Sequence, residues 1–383
     1  MWSSMSRPGC FGLLRSLSFN SGKLTKPKCP LRTTRLFSVS ASPNCPINDA
    51  PVRQWALEVN PFSTVRAQLG CSISVHPLDP HTFPEADRAF VTVHGAETEQ
   101  QLGPEHFMVS YDEQSKELLI SAKEESSSVS VDLAAPIKSN LFITTRGKGS
   151  VQVKKMECDF CRVQTEEGNC LLHSVKGHQI EVKSEGGHVT GVGTIHGNVD
   201  ISTRGYSTVD VKKLQGTRMN VSTEHGTLKV KAIYAESSQV SCSSGRIQLG
   251  HIHGKATVEN ISGDTVIDGS NDFLKISSKG GDVDVYVGDG GSADVQTQEG
   301  HVCVRVPSSL KAGVELCGGS VHIDPEVVLH RTQSEPAKNP TTVMGYLNGE
   351  SEAVQWVRVR TDRGSVTLKT QSWFETLKLG GQE

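Results

Sequence analysis

From about residue 140 onward the chain alternates apolar and polar side chains in short runs, each closed by a glycine and followed by a second alternating run. Val221-Ser-Thr223 leads to Gly226-Thr-Leu228-Lys-Val230, and Val240-Ser-Cys242 leads to Gly245-Arg-Ile247-Gln-Leu249. A period of two marks a strand with one buried and one wet face. The phrase returns eleven times at a step of about 19 residues, on Gly149, Gly168, Gly187, Gly205, Gly226, Gly245, Gly263, Gly281, Gly300, Gly319 and, after one interruption, Gly364. Its leading apolar position is Val163, Val182, Ile201, Val221, Val240, Val258, Ile276, Val295, Val314 and Val359 in turn. That column, and the residues two before and two after it, are predicted to face inward.

One such unit cannot bury its own apolar face, whereas stacked units share a continuous core. The pattern therefore predicts an all-β fold: a single-stack parallel β-solenoid (β-helix) of about eleven 19-residue rungs with capped ends. Two sheets are expected to face each other across a thin core. At a strand spacing of about 4.8 Å the stack runs on the order of 50 Å, and the crossover rule makes it right-handed. Propeller blades need a longer repeat, and leucine-rich repeats need a leucine and asparagine pattern that is not present.

The ends differ in composition. Residues 1–37 hold seven cations, many serines and no acid. This is the composition of a mitochondrial transit peptide, and Arg35-Leu-Phe37-Ser38 has the form of a matrix-processing site. A mitochondrial location, in the matrix, is expected. Residues 38–60 read as a linker and 61–140 as an N-terminal cap with opening rungs. The regular solenoid is expected over 141–324. Prolines 325, 336 and 340 mark 325–353 as a mobile excursion, and 354–383 as the last rung and C-terminal cap.

Charge narrows the partners. The chain carries −3 overall; without the seven cations of 1–37 the balance is about −10, which argues against non-specific nucleic-acid binding. No apolar run of about 18 residues is present, so no transmembrane segment is expected.

Candidate chemistry is sparse. Cys158-Asp-Phe-Cys161 is a CxxC, but a redox pair calls for a helix N-terminus and a zinc site for a second pair. On a flat strand, residues three apart point to opposite faces, so the two thiols are expected to be separated. Cys161, Cys170 and Cys242 fall in core columns, Cys303 and Cys317 on outward or turn positions, and no disulfide framework is expected in a reducing compartment. His188, His196, His225, His253 and His301 each neighbour a glycine and read as solvated turn residues. Asp264, Asp268, Asp272, Asp282, Asp284, Asp289 and Asp294 do not follow the nine-residue repeat of calcium-binding solenoids. Asp282 and Asp284 share a face, yet no neighbouring rung repeats them as a carboxylate pair. No catalytic, cofactor-binding or metal-binding residue is assigned, and no cofactor is expected.

Pro136-Ile-Lys-Ser-Asn-Leu-Phe-Ile-Thr-Thr-Arg-Gly-Lys-Gly149-Ser-Val-Gln-Val153 resembles the opening rung of the bacterial "putative adhesin" family. Gly281-Asp-Val-Asp-Val285 and Gly263-Asp-Thr-Val-Ile267 resemble its Gly-Asp rungs, and Leu347-Asn-Gly349 its Asn-Gly turn before the last rung. The resemblance covers about 85–368 and implies a solenoid, with no shared catalytic set. The expected function is a non-enzymatic binding or scaffold protein presenting a repetitive sheet surface to a protein or glycan-like partner. The alternative is a hydrolase- or lyase-like enzyme acting on a polymeric or glycan substrate in a groove near 325–353, where acids, histidines or a metal would have to converge.

Overall fold

The computed structural model describes residues 51–95, 107–335, 340–349 and 355–371. All lie in one compact unit, Asn48–Glu383; the segment 1–37 lies outside the described residues. Every regular element is a strand, and among the described residues no helix is long and apolar enough to cross a membrane.

The inward column forms one unbroken parallel ladder. Val163 pairs with Val182, then Ile201, Val221, Val240, Val258, Ile276 and Val295 in succession. All eight are buried. A second ladder runs Val189, Val209, Leu228, Ile247, Thr265, Val283 and Val302 beyond the turn glycines. Each Val, Leu or Ile contributes roughly 1.5–3 kcal/mol by leaving water, but only while the neighbouring rungs cover it. All-β architecture, parallel strands and the solenoid repeat therefore follow from the same columns.

The rung has three sides, not two. Ile195, Leu214, Ile233, Ile252 and Ser270 form a third parallel ladder, and the four apolar members are no more than 1% exposed. Along the strand Val189–Thr203 the register shifts between Gly191 and Thr194 and again between His196 and Val199. These are the corners. The third side gives the core one apolar residue per rung, too few to show as a period of two.

The turn glycines are fixed by the stacking. A Cβ built on Gly187 would fall on the carbonyl oxygen of Gly168, and one on Gly168 on that of Gly149. Successive turns are separated by one strand spacing, about 4.8 Å, so the backbone of one rung fills the volume a side chain of the next would need.

Rung order departs from chain order at both ends. The strand Trp356–Thr370 was expected to follow the Gly319 rung. It lies before it: Val295 pairs with Val359 and Val302 with Val366 on one side, while Val357 pairs with Val314 and Val366 with Val321 on the other. The reason lies in 325–353. Its described residues include the strands Leu329–Glu335 and Thr341–Leu347, an antiparallel hairpin, and Thr341–Leu347 pairs with the outer edge of Ala312–Gly318. The last strand can reach only the inner edge.

At the other end Thr64–Pro77 slots between Glu117–Ala135 and the strands Asn140–Thr145 and Val151–Lys154. Arg88–His94 adds antiparallel to Glu117–Ala135, and Pro51–Glu58 adds antiparallel to Arg88–His94. Strand structure thus begins at Pro51, inside the expected linker. Both ends convert an open parallel edge, which would template association with other chains, into antiparallel pairing.

The glycine argument gives a paired test. Gly187→Ala is expected to lower stability by roughly 2–3 kcal/mol, the upper part of the ordinary range for one substitution. Nothing lies within 4 Å of a Cβ on Gly280, so Gly280→Ala should raise stability by about 0.4–1 kcal/mol through the unfolded chain. Denaturant unfolding of the two variants measures this, and equal midpoints would show that the stacked turns do not exclude side chains.

Candidate functional site

The inserted strand Thr64–Pro77 borders a recess lined by both polar and apolar side chains. Ser72 and Ser74 lie opposite Ser130 and Asp132 on one neighbour, and Ser74 lies opposite Gln152 on the other. Thr92 and His94 of the antiparallel strand face Asp132 and Ser130, and Leu171 follows Gln152 one rung on. Apart from Thr92, these residues border, with Ser150, Asn169 and the apolar Ile73, Val131 and Val151, a groove of about 460 Å³.

Side chains brace the groove from rung to rung. The Ser150 backbone N–H donates to Ser72 Oγ at 3.1 Å, Asn169 N–H to Ser150 Oγ at 3.2 Å, His188 N–H to Asn169 Oδ1 at 3.0 Å, and Thr208 N–H to His188 Nδ1 at 3.0 Å. Each short polar side chain takes up a donor that the turn leaves without a strand partner.

Asp132 is the charged centre. His76 Nε2 lies 3.1 Å from Asp132 Oδ2, and His76 Nδ1 lies 3.2 Å from the Pro77 carbonyl oxygen. The hydrogen bond to Asp132 raises the His76 pKa above its usual 6.5, against partial burial and the charge of Lys154. For Asp132, burial opposes ionisation, but hydrogen bonds from His76 and Ser74 and the charges of His76 and His94 outweigh it, so its pKa lies below 3.8. His94 Nδ1 is buried and has no partner among the described residues. A buried polar atom left unpaired costs about 1–3 kcal/mol, a cost that a hydrogen-bonding ligand would remove.

The residues singled out by sequence are dispersed. The turn histidines have separate structural partners. His188 accepts from Thr208, His225 Nδ1 meets Ser244 Oγ at 2.7 Å, His301 Nδ1 meets Ser365 Oγ at 2.8 Å, and His253 stacks on Tyr234 at 4.5 Å. His196 borders a different cavity, beside Cys158. Among the acids, Asp264 accepts from Asp282 N–H and Asp282 from His301 N–H, as rung-to-rung braces. Asp284 pairs at 2.6 Å with the buried Arg305, which also reaches Gln371 and the Ile267 carbonyl. Asp272, Asp289 and Asp294 accept from Phe273 N–H, Ser309 and Gln296. Among the described residues no group of three or more His, Cys, Asp and Glu is placed to hold a metal ion. Beside the 325–353 hairpin, Glu315 pairs with Arg358 at 3.5 Å and Thr342 Oγ1 donates to Cys317 Sγ at 3.6 Å.

Two cysteine placements are corrected. Cys303 holds an outward strand position yet is buried, because Tyr286, Cys303 and Arg305 lie on a covered stretch of outer face. Cys158 and Cys161 do not point apart: both are buried, with the chain bending between them.

The groove itself was not read from the sequence. Its members come from segments up to about one hundred residues apart and from outside the regular repeat. The one available signal was local: Ser72-Ile-Ser-Val-His76 and Val129-Ser-Val-Asp132 alternate cleanly, so their polar residues share an outer face.

Residues 176–369, about half of the chain, match the family described as Toastrack DUF4097. The chain belongs to that family, which bears out the resemblance carried by the rung phrases. Three solved structures are similar at low identity. A putative adhesin from Parabacteroides merdae ATCC 43184 is 12% identical over 63% of this chain and 94% of its own, with a TM-score of 0.36. A putative adhesin from Bacteroides fragilis NCTC 9343 is 9% identical over 83% and 96%, with a TM-score of 0.27. A putative cell adhesion protein from Clostridium sporogenes ATCC 15579 is 12% identical over 84% and 100%, with a TM-score of 0.16. None of the three bears on the chemistry of the groove.

The His76–Asp132 pair sets a pH dependence. The raised His76 pKa contributes stability that is complete below 6.5 and lost as pH rises through the folded value. The lowered Asp132 pKa contributes stability present above 3.8 and lost as pH falls through its folded value. A double-mutant cycle with His76→Gln and Asp132→Asn should show stronger coupling at about pH 5.5 than at about pH 8.5, because the charge on His76 is lost as pH rises through its folded pKa. Coupling that is the same at both values would show that the contact is not an ion pair.

Proposed function

We propose that this member of the Toastrack DUF4097 family is a non-enzymatic binding or scaffold protein, and that the groove around Asp132 is its ligand site. The observation that carries this reading is the buried, unpartnered His94 Nδ1 beside a braced row of hydroxyl, amide and carboxylate groups. The ligand chemistry that fits is polyhydroxylated and glycan-like. Ser72, Ser74, Gln152 and Asp132 would exchange hydrogen bonds with its hydroxyls, and Leu171 would lie against an apolar sugar face. A protein segment with serine- or threonine-rich strands is the other outcome of the test. The solenoid is proposed to wind right-handed through about eleven rungs.

Titration of oligosaccharide panels by calorimetry tests the site. Asp132→Asn and Gln152→Ala should each weaken the best ligand by about tenfold, or ~1.4 kcal/mol, with Gln152→Ala leaving thermal melting unchanged. Absence of any oligosaccharide binding, or binding indifferent to both substitutions, would remove the glycan reading.

The setting is proposed to be the mitochondrial matrix, on the basis of the acid-free, basic composition of residues 1–37. N-terminal sequencing of the cellular protein should find a chain starting near Ser38. A chain that begins at Met1, or one recovered outside mitochondria, would refute this.

A further inference from the structure

The CxxC lies where a strand turns a corner of the solenoid. Along Glu157–Thr165 the order of exposure is Cys158 buried, Asp159 and Phe160 exposed, Cys161 buried. The ladder to the next rung pairs Cys158 with Gly177, Phe160 with Gln179 and Cys161 with Ile180, and leaves Asp159 and His178 out of the pairing. Two consecutive residues therefore face out, and the thiols on either side of them both turn in. On a flat strand, residues at this spacing would face opposite sides. The two thiols lie near enough to shift each other's ionisation, and Cys158 Sγ lies 4.0 Å from the Lys176 carbonyl oxygen.

The two thiols are not equivalent. Cys158 borders a cavity of about 380 Å³ with Phe62, Lys138, Glu157, Asp159, Lys176 and His196. Glu157 holds both lysines at its mouth, Lys176 Nζ at 2.7 Å and Lys138 Nζ at 3.2 Å. Cys161 is 1% exposed and has no such opening. The neighbouring Cys161 thiol lowers the Cys158 pKa below its usual 9.0, against burial and the charge of Asp159. The neighbouring Cys158 thiol, with burial, pushes Cys161 well above 9.0. Burial alone pushes Cys71 and Cys170 up to about 12. Thus the cavity-facing thiol is the more readily ionised of the two, and the second thiol is buried on the same side of the bend.

We propose that Cys158 and Cys161 are a dithiol–disulfide couple that exchanges with a small disulfide of the glutathione class entering at the cavity beside Cys158. Cys158 releases its proton to solvent, and its sulfur displaces one thiolate from the small disulfide to form a mixed disulfide. Cys161 passes its proton to the thiolate already displaced and attacks Cys158 Sγ. The second small thiolate departs and is protonated from solvent by the equivalent of the proton lost at the start. Two cysteine thiols become one disulfide, one small disulfide becomes two thiols, and no further reactant is needed. The site is distinct from the groove around Asp132 and does not rest on the reading of that groove.

The sequence supplies a direct readout. Trypsin cutting after Lys155 and Arg162 releases Met156–Arg162, which contains both cysteines of the pair and no other. Folded full-length protein is equilibrated with oxidised glutathione, quenched with acid, alkylated and digested. The wild-type peptide should appear lighter by two hydrogens and unalkylated. Cys161→Ser should stop at glutathione on Cys158, and Cys158→Ser should leave Cys161 unmodified. Iodoacetamide should label Cys158 at least about tenfold faster than Cys71 or Cys170, as expected for an acidified, accessible thiol. The wild-type result does not depend on how either cysteine variant folds. A peptide that remains a dithiol in the folded protein, a Cys161–Cys170 linkage in place of the pair, or Cys158 labelling no faster than Cys71 would overturn the proposal.

Discussion

Each rung depends on the next for its backbone hydrogen bonds, and that dependence organises the molecule. The ladder from Val163 to Val295 runs through eight strands without a break, so every inner strand satisfies its donors and acceptors only through its neighbours. Equal spacing follows, and with it the glycine turns, since the carbonyl of one turn occupies the space of a side chain on the next. The same spacing lets Ser72, Ser150, Asn169 and His188 each accept a hydrogen bond from the rung beyond. Core, turns and outer polar rows are consequences of one repeated distance.

A stack held in this way has two unsatisfied edges. The chain closes them by breaking its own order. Thr64–Pro77 enters beneath strands that follow it in sequence, and Trp356–Thr370 enters before a strand that precedes it. Antiparallel strands then cover what remains. The polar groove around Asp132 is a product of this closure: it needs Arg88–His94 and Glu117–Ala135 beside the inserted strand, an arrangement that no regular rung reproduces.

The chemically distinctive places are those where the repeat is disturbed. Within the regular rungs, His188, His225, His301, Asp264 and Asp282 brace turns through neighbouring backbone and hydroxyl groups. At the N-terminal insertion a histidine nitrogen is left without a partner. At the corner by Asp159 two thiols turn inward together that a straight strand would separate. Binding at the first and thiol exchange at the second are independent, because the two sites share no residue.

The sequence by itself determined the all-β class, the parallel stack and the inward columns. Val163, Val221 and Ile276 sit where a period of two and a step of about 19 residues put them, because that information is repeated and local. Much of the candidate chemistry was hidden for the opposite reason. His76 and Asp132 are 56 residues apart, Ser72 and Ser150 are 78 apart, and no pattern marks them as neighbours. The third side of the rung rests on single residues such as Ile195 and Leu214, and the pairing of Cys158 with Cys161 rests on a corner that alternation does not reveal. Tertiary structure decided these, together with the reversed order of the last rungs, because edge closure depends on which strand edge the hairpin Leu329–Leu347 leaves open.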